Sequence, residues 1–506
     1  MGGDLILMQI RKLGSIAFFS ALALTAAARP FTVVVYNVEN LVDADGQARF
    51  EEYQAPRYTP AHVLTKVQAV ASVLARFDDG RGPDVVMLQE IEVDETPAAA
   101  ALDYEAMLRR YADRKIEDML GRGFDQEIAD LPAEALLAKA LADRGLTGYH
   151  VIVAENVRSG GDRPLSQKCV TLTRFPVKAV RSHPTVDARA ILEVLVEIDG
   201  ATLYLFNNHW KSGAGDAATE PTRAANARTL RQRLDEILRQ DPQADIVIGG
   251  DFNSQYNQKR RYPQMTVTGM NDVLGSQGNE LAIRGQQRDL YNLWFELPAE
   301  QRGSDTFQGE WGTLIQMLIT RGLYDYRGVQ YVDNSFGVAK FDGLNADEKG
   351  TPIRWSGEGP AGSGFSDHFP VFARFTTVSD ERPDRYLALR GASEEPTQAE
   401  TVRKIDYSAV DVEKIAVRAE SLPAGAKLRS KEFRGKIIRV EGVVAPGIRL
   451  AVEFLGDTYD VWSFNEALRN ELRANHAAGQ PIRFYAELGQ YRGRWQFVIQ
   501  DPSWVK

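Results

Sequence analysis

The sequence predicts a mixed α/β unit followed by a small β-barrel, and two observations carry this. Between about residue 31 and residue 375, short β-rich apolar runs alternate with segments of helical periodicity, the pattern of one layered unit. Beyond Phe375 a polar stretch leads to five short strand signals separated by glycine-punctuated turns, the spacing of a small barrel. With 506 residues, 44% hydrophobic and 25% charged, the chain can build more than one core.

The elements follow in order. Phe31 to Tyr36 is β-rich and ends in the polar run Asn37-Val38-Glu39-Asn40. Thr59 and Pro60 read as an N-cap and first helical position, with Val63, Val67, Val70 and Leu74 on one face, and Asp78-Asp79-Gly80 stops the helix. Asp84 to Glu90 is a buried-strand type with polar residues at its end. Residues 96–146 are rich in Ala, Leu and charge and predict a helical insertion. Strands are expected at 169–173, 192–198, 202–206 and 245–249, and a helix from Pro221 to about Arg239. Residues 378–403 form a polar linker, and 404–506 a separate barrel with strands at 437–444, 450–454, 459–464, 482–488 and 495–499.

Ahead of all this, Arg11 and Lys12 precede an apolar run from Leu13 to Leu24 and a small-residue end, Thr25-Ala26-Ala27-Ala28. These are the three parts of a secretory signal, so residues 1–28 are expected to direct export and the mature unit to begin at 29. The run is shorter than the roughly 20 residues a bilayer span needs, so no stable membrane anchor is expected, and the protein should be secreted or periplasmic. The single cysteine, Cys169, excludes a disulfide framework and a cysteine-built zinc site. Any metal chemistry must therefore use oxygen and imidazole ligands.

Polar residues collect at the ends of the buried strands. Asn37 and Glu39 follow the first, Glu90 the second, Asn208 and His209 the run ending at Phe206, and Asp251 and Asn253 the run from Ile246. Ser366-Asp367-His368 precedes Phe369 to Phe375, and two of only six histidines fall in these clusters. One such residue is most often a turn or cap. Five clusters at the same topological position point to a shared site at the carboxyl ends of strands. The inventory suits phosphate-ester hydrolysis: carboxylates and amides for a hard cation such as Mg²⁺ or Mn²⁺, an Asp or neutral His to accept a proton, a second His to stabilise phosphoryl charge.

Tyr-Asn-Val-Glu-Asn (36–40), Val-Met-Leu-Gln-Glu (86–90), Asn-Asn-His-Trp-Lys-Ser (207–212), Gly-Gly-Asp-Phe-Asn (249–253) and Gly-Phe-Ser-Asp-His-Phe-Pro (364–370) resemble, in order, the motifs of the endonuclease/exonuclease/phosphatase superfamily. The first motif most resembles its bacterial secreted nucleases. The resemblance implies the deoxyribonuclease-I-like four-layer sandwich, two packed mixed β-sheets flanked by helices, over 29–377. It implies a divalent-metal-dependent endonuclease acting on the phosphodiester bonds of DNA, with RNA as a further candidate substrate. Mg²⁺ or Mn²⁺ is the expected ion and Ca²⁺ a third candidate. Glu90 would be the principal metal ligand, with Asp367, Glu39 and Asn37 beside it. Asn37 and Asn253 would orient phosphate and water, Asp251 would position or deprotonate the attacking water, His368 would stabilise the transition-state charge, and His209 would be the second imidazole, protonating the leaving oxygen. A lipid or small-molecule phosphodiesterase of the same fold, sphingomyelinase-like, is the rival reading, and a catalytically weak nucleic-acid-binding protein a third.

One position departs from the family pattern. The family places an aspartate before a buried strand, where it hydrogen-bonds the final catalytic histidine. Here the phrase is Glu310-Trp-Gly-Thr-Leu-Ile315-Gln316, with Ile315 in the aspartate's place. An imidazole without its carboxylate is less fixed in tautomer and carries positive charge less well. Reduced activity or a shifted pH optimum is expected, with Glu310, Asp305 or Asp325 as substitutes, and Ile315→Asp is expected to raise turnover unless one of them already fills the role.

Residues 401–506 carry 17 Lys and Arg against 13 Asp and Glu, so the net charge of −9 averages an acidic catalytic region and a mildly basic tail. Lys427, Arg429, Lys431, Arg434, Lys436 and Arg439 form a basic run suited to nucleic-acid phosphates. The aromatics Phe484, Tyr485, Tyr491, Trp495 and Phe497 are expected mainly as barrel core. Residues 435–443 and 491–503 resemble oligonucleotide-binding (OB) folds found beside nucleases, which implies a barrel that holds the substrate strand.

Overall fold

The computed structural model describes residues 30–94, 96, 102–155, 165–284, 290–378, 402–423, 426–430 and 432–506. The expected export signal and most of the polar linker fall outside these residues, as does Lys431.

β1 (Phe31–Leu41) alternates: Val33 and Val35 enter one core while Val34 and Tyr36 enter another, so both of its faces are covered. α1 (Pro60–Leu74) carries the chain back to β2 (Val85–Glu92). Four helices follow, α2 (Tyr104–Arg110), α3 (Ile116–Met119), α4 (Gln126–Ala129) and α5 (Ala133–Asp143). The run then continues through β3 (His150–Val153), β4 (Gln167–Thr173), β5 (Val177–His183), β6 (Ile191–Ile198) and β7 (Ala201–His209). α6 (Glu220–Gln240) leads to β8 (Ile246–Asp251) and β9 (Tyr291–Asn292). β10 (Asp305–Phe307), β11 (Glu310–Gly312), β12 (Ile315–Ile319), β13 (Gly328–Tyr331), β14 (Gly337–Val338) and β15 (Val371–Val378) complete the unit.

One sheet has the order β13-β15-β1-β2-β4-β3, with β14 beside β15, and the other β5-β6-β7-β8-β12-β9. Each is antiparallel except at one pair, β1 with β2 and β7 with β8, where a helical crossover makes the strands parallel. Those parallel pairs bring four strand carboxyl ends to one edge. Val35, Met87, Leu205, Val247, Ile315 and Met317 fill the space between the sheets. The outer face of the first sheet packs on α1 and α5, and that of the second on α6. The result is two packed mixed sheets flanked by helices. α5 is buried along nearly its whole length, so the Ala- and Leu-rich stretch supplies a structural layer.

The sheets approach closest beside the motif Gly249-Gly250-Asp251. A Cβ on Gly249 would lie 2.6 Å from Val35 Cγ2 and 2.9 Å from Met87 Sδ. Gly250 has φ +149°, and a Cβ there would lie 2.1 Å from Asn208 O. Both glycines are required for β8 to bring Asp251 between the sheets.

The second unit is a closed five-stranded barrel of β16 (Ile437–Val444), β17 (Ala451–Phe454), β18 (Asp457–Trp462), β19 (Pro481–Tyr491) and β20 (Arg494–Val498). Their order is β16-β17-β18-β20-β19, closed by β19 against β16. A helix over Glu466–Asn475 lies between β18 and β19 in the chain and buries Leu468 and Leu472. Phe484, Tyr485 and Phe497 are buried in the core, whereas Tyr491 is exposed and Trp495 half-buried. Among the described residues no helix is long and apolar enough to cross a membrane.

Candidate active site

The ends of β1, β2, β7 and β8 converge, and local backbone irregularities aim their side chains. Register shifts interrupt β1 between Asn37 and Leu41 and β2 between Leu88 and Ile91. Within them Glu39, Asn40 and Glu90 take φ of 50°, 57° and 63°. Such bulges re-aim a side chain out of the sheet's alternation. They bring the Glu90 carboxylate to Asn37, whose Nδ2 donates to Glu90 Oε1 and to Asp251 Oδ2, both at 2.9 Å. Asn40 N donates to Glu90 Oε2 (3.1 Å), and Asn253 N donates to Asp251 Oδ1 (2.8 Å). Beneath the site Gln89 Nε2 donates to Asn207 Oδ1 (2.7 Å), tying the sheets together through buried amides.

His209 Nε2 lies 3.8 Å from Glu90 Oε1 and 3.7 Å from Asp251 Oδ2. Glu90, His209 and Asp251 each present a ligand atom within 4.8 Å of the others, a set able to hold one metal ion. Burial, with Asp367 and Asp251 nearby, raises the Glu90 carboxyl above the ordinary range. Burial and the Arg189 charge hold the His209 imidazole well below its usual value, so it is neutral at pH 7. Asn253 has φ 47°, and its side chain donates to Trp210 O (3.2 Å) behind the centre.

His368 faces this centre from the loop leading to β15. Its Nε2 lies 3.6 Å from Asp367 Oδ1 and 3.9 Å from Asp251 Oδ2. Ser366 Oγ fixes the turn, donating to Asn37 O (2.7 Å) and accepting from His368 N (3.1 Å). Burial pulls the imidazole's affinity for a proton down, but Asp367, Asp251, Asp305 and Glu90 together raise its pKa to about 9.

Ile315 is fully buried between the sheets, in the place where the resemblance puts an aspartate. A carboxylate from another element stands near the ring, in charge contact and not in hydrogen-bond contact, and His368 Nδ1 has no hydrogen-bond partner among the described residues. Asp305, one of the three substitutes the sequence allows, has its Oδ1 3.9 Å from His368 Nδ1. The same oxygen accepts from Ser304 Oγ (2.9 Å) and Leu314 N (3.1 Å), which holds it in place.

Glu39 is placed differently from the expectation of a metal ligand. Its Oε1 accepts from Arg354 Nη2 (2.9 Å) and Nε (3.2 Å), and its Oε2 accepts from Trp355 N (2.7 Å). Both oxygens are spent on the 353–367 loop, and Glu39 is not among the converging ligand atoms. Asp367 stands at the rim, one-third exposed, with Oδ2 3.3 Å from Arg354 Nη2.

Sequence reasoning missed three charged residues here. Arg354 sits at the mouth with 70% of its side chain exposed, and it adds positive charge beside two carboxylates. Lys66, fully buried on α1, donates from Nζ to Phe365 O (2.6 Å) and lies 4.9 Å from the Trp355 ring centre. Burial lowers its pKa to about 8 against the pull of Glu39, Asp367 and Glu90. Arg189, just before β6, acts electrostatically on Glu90, Asp251 and His209. None lies in a strand-end polar cluster; an arginine before a strand and a lysine on a helix face carry no local signal, since their partners are distant in sequence.

In the barrel, Lys427, Arg429, Arg434 and Lys436 are exposed and Arg439 is half-buried. Arg429 donates to Thr458 O (2.6 Å), stacks on Tyr459 and pairs with Asp457, whereas Arg439 pairs with Glu441 (2.6 Å). The basic run is therefore partly engaged with local acids.

Fold and site define a two-sheet α/β unit with a carboxylate, amide and imidazole centre at the carboxyl ends of its parallel strands. Residues 167–377 match the model of the Endonuclease/Exonuclease/phosphatase family. No curated protein matches the chain. Among solved structures, truncated Caenorhabditis elegans TDP2 is similar at 15% identity and TM-score 0.36, covering 68% of this chain and 97% of its own. D. rerio TDP2 complexed with single strand DNA product gives 15%, 0.36, 69% and 99%. The human Nocturnin catalytic domain gives 14%, 0.35, 68% and 94%.

Proposed function

We propose that the protein is an exported, divalent-metal-dependent nuclease that hydrolyses phosphodiester bonds of DNA, with RNA as a further candidate substrate. The observation that carries this reading is the convergence of Asn37, Glu90, His209, Asp251, Asp367 and His368 on one partly buried centre. The donor set suits a hard cation: carboxylate oxygens with one neutral imidazole, and a Glu90 carboxylate whose buried charge calls for a counter-ion. Glu90 and His209 would hold the ion, with Asp367 at the rim, and the ion would polarise the phosphoryl oxygen and offset developing charge. Mg²⁺ or Mn²⁺ fits first, and Ca²⁺ fits the same oxygens.

The chain's own groups then divide the work. Asp251, pinned by Asn37 and Asn253, accepts the proton of the attacking water. His368, held protonated by the surrounding carboxylates, donates to the phosphoryl oxygen and stabilises its transition-state charge. His209, neutral, serves as ligand or hydrogen-bond donor in place of the proton-donor role expected for it. Arg354 adds positive charge for the substrate phosphate at the mouth. The barrel order, with a helix between its third and fourth strands, supports an OB-type unit that holds the strand through Lys427, Arg429, Lys431, Arg434, Lys436 and Arg439. Residues 11–28 support export to the periplasm or beyond.

The test incubates purified protein with plasmid, RNA and sphingomyelin, each with Mg²⁺, with Mn²⁺ and with chelator. Metal-dependent nicking that is lost in Glu90→Ala and in His368→Ala is expected. Lipid cleavage alone would select a phosphodiesterase of another substrate class, and strand binding without turnover would select a binding protein.

A further inference from the structure

The chain re-enters the described fold at Val402 and lies against the β10–β11 hairpin through an isolated antiparallel bridge. Trp311 N donates to Arg403 O (2.8 Å), Ile405 N donates to Gly309 O (2.9 Å), and Lys404 pairs with Glu310. The hairpin is itself well determined. Gln308 and Gly309 have φ of 51° and 81°, as a two-residue turn matched to strand twist requires, and Asp305 is set opposite Gly312.

Side chains continue the contact inward. The Arg403 guanidinium lies 4.3 Å from the Trp311 ring centre, and its Nη1 donates to Arg302 O (3.1 Å). Trp311 is buried and stacked on Phe369, with ring centres 6.4 Å apart and planes 22° apart. Phe369 follows His368 directly, and its N donates to Ser304 O (2.6 Å), the residue before Asp305. Arg403, Trp311, Phe369, Ser304 and Asp305 thus form one packed unit whose inner end is the His368 imidazole and whose outer end is the chain entering the barrel.

We propose that Arg403 is a positioning residue for His368, acting through Trp311 and Phe369. The catalytic geometry of the α/β unit then depends on chain contributed from the far end of the linker, and the segment 403–405 is part of the active site's support. A rotation of the indole moves Phe369, and with it the imidazole against Asp305 and Asp251, which is the kind of displacement that lowers turnover without touching substrate. This inference rests on the phosphodiesterase reading.

The test uses the full chain and bis(4-nitrophenyl) phosphate, a diester too small to need the barrel, with Mn²⁺ as cofactor. Arg403→Ala is expected to lower kcat about tenfold with KM changed less than about twofold. Arg403→Lys, which keeps a cation over the indole, is expected to restore most of the loss. Hydrogen exchange read on the same variants should accelerate at the amides of Trp311, Ile405 and Phe369 in Arg403→Ala and not in Arg403→Lys. Should Arg403→Ala fail to fold, Arg403→Gln, which retains the stem and the backbone pairing, decides on the same two readouts. Wild-type kcat in a folded alanine or glutamine variant overturns the proposal, as does a loss of kcat without faster exchange at Trp311 and Phe369. A wild-type protein without metal-dependent hydrolysis instead overturns the functional reading beneath it, before any variant is compared.

Discussion

Asp305→Asn isolates the charge that faces the His368 imidazole. The amide oxygen still accepts from Ser304 Oγ and Leu314 N, so the loop stays in place and only the carboxylate's charge is lost. Asp305 Oδ1 lies 3.9 Å from His368 Nδ1, and both residues are less than a tenth exposed, so solvent screens the pair weakly. At that distance two unit charges interact by about 4 kcal/mol at an effective dielectric constant near 20, a ceiling corresponding to about 10³-fold in rate. Asp367 and Asp251 remain beside the ring, so a loss of kcat between about tenfold and 10³-fold is expected. The sign for pH follows. The carboxylates raise His368 to about 9, and the active imidazolium is lost as pH rises through that value. Removing one of them moves the basic limb of the kcat profile to lower pH. The assay is steady-state hydrolysis of plasmid and of a small diester with Mg²⁺ or Mn²⁺, with kcat and KM separated across pH. Wild-type kcat with an unmoved basic limb would refute the assignment of Asp305. With Asp305 in place, Ile315→Asp is no longer expected to raise turnover. It would bury a carboxylate among Val35, Met317 and their neighbours, and it should instead lower Tm.

Other perturbations separate further parts of the site and scaffold. Glu39→Gln should leave Mn²⁺ affinity, measured by isothermal titration, within about threefold while raising KM for DNA by loosening Arg354, whereas Glu90→Gln should weaken Mn²⁺ binding by at least about tenfold. Gly250→Ala places a methyl group against Asn208 O and should lower stability by several kcal/mol in denaturant titration; a loss under about 1 kcal/mol would show that β7 and β8 can separate there. Glu193 is raised by burial, but the hydrogen bonds from Arg233 and His183 outweigh this and lower its pKa to about 2. Its contribution, about 3 kcal/mol, is present above pH 4.5 and lost as pH falls toward 2, so Glu193→Gln should flatten the acid limb of the stability curve.

Much of the fold was legible because its determinants are local. The apolar runs at Val33 to Tyr36 and Ile246 to Gly249 are strands because both of their faces are covered, and α6 follows from Leu230, Leu234 and Ile237 on one face. The strand-end clusters were legible for the same reason: a polar residue that abruptly ends a buried run is conspicuous. β5, β13 and the β10–β11 hairpin were not, being short or mixed in polarity, with pairing partners distant in sequence.

By itself, then, the sequence determined the mixed α/β unit followed by a barrel, the exclusion of a cysteine-built site by a single cysteine, and the residues at the strand ends. Only the tertiary structure decided how they are used. It spent Glu39 on Arg354 and Trp355, set the Asp305 carboxylate 3.9 Å from His368, placed Arg189 and Lys66 within electrostatic reach of the carboxylates, and ran the end of the linker onto Trp311. The physical reason is range. Hydrophobic periodicity is written along the chain within a few residues, whereas a carboxylate's partner is set by which strands lie side by side.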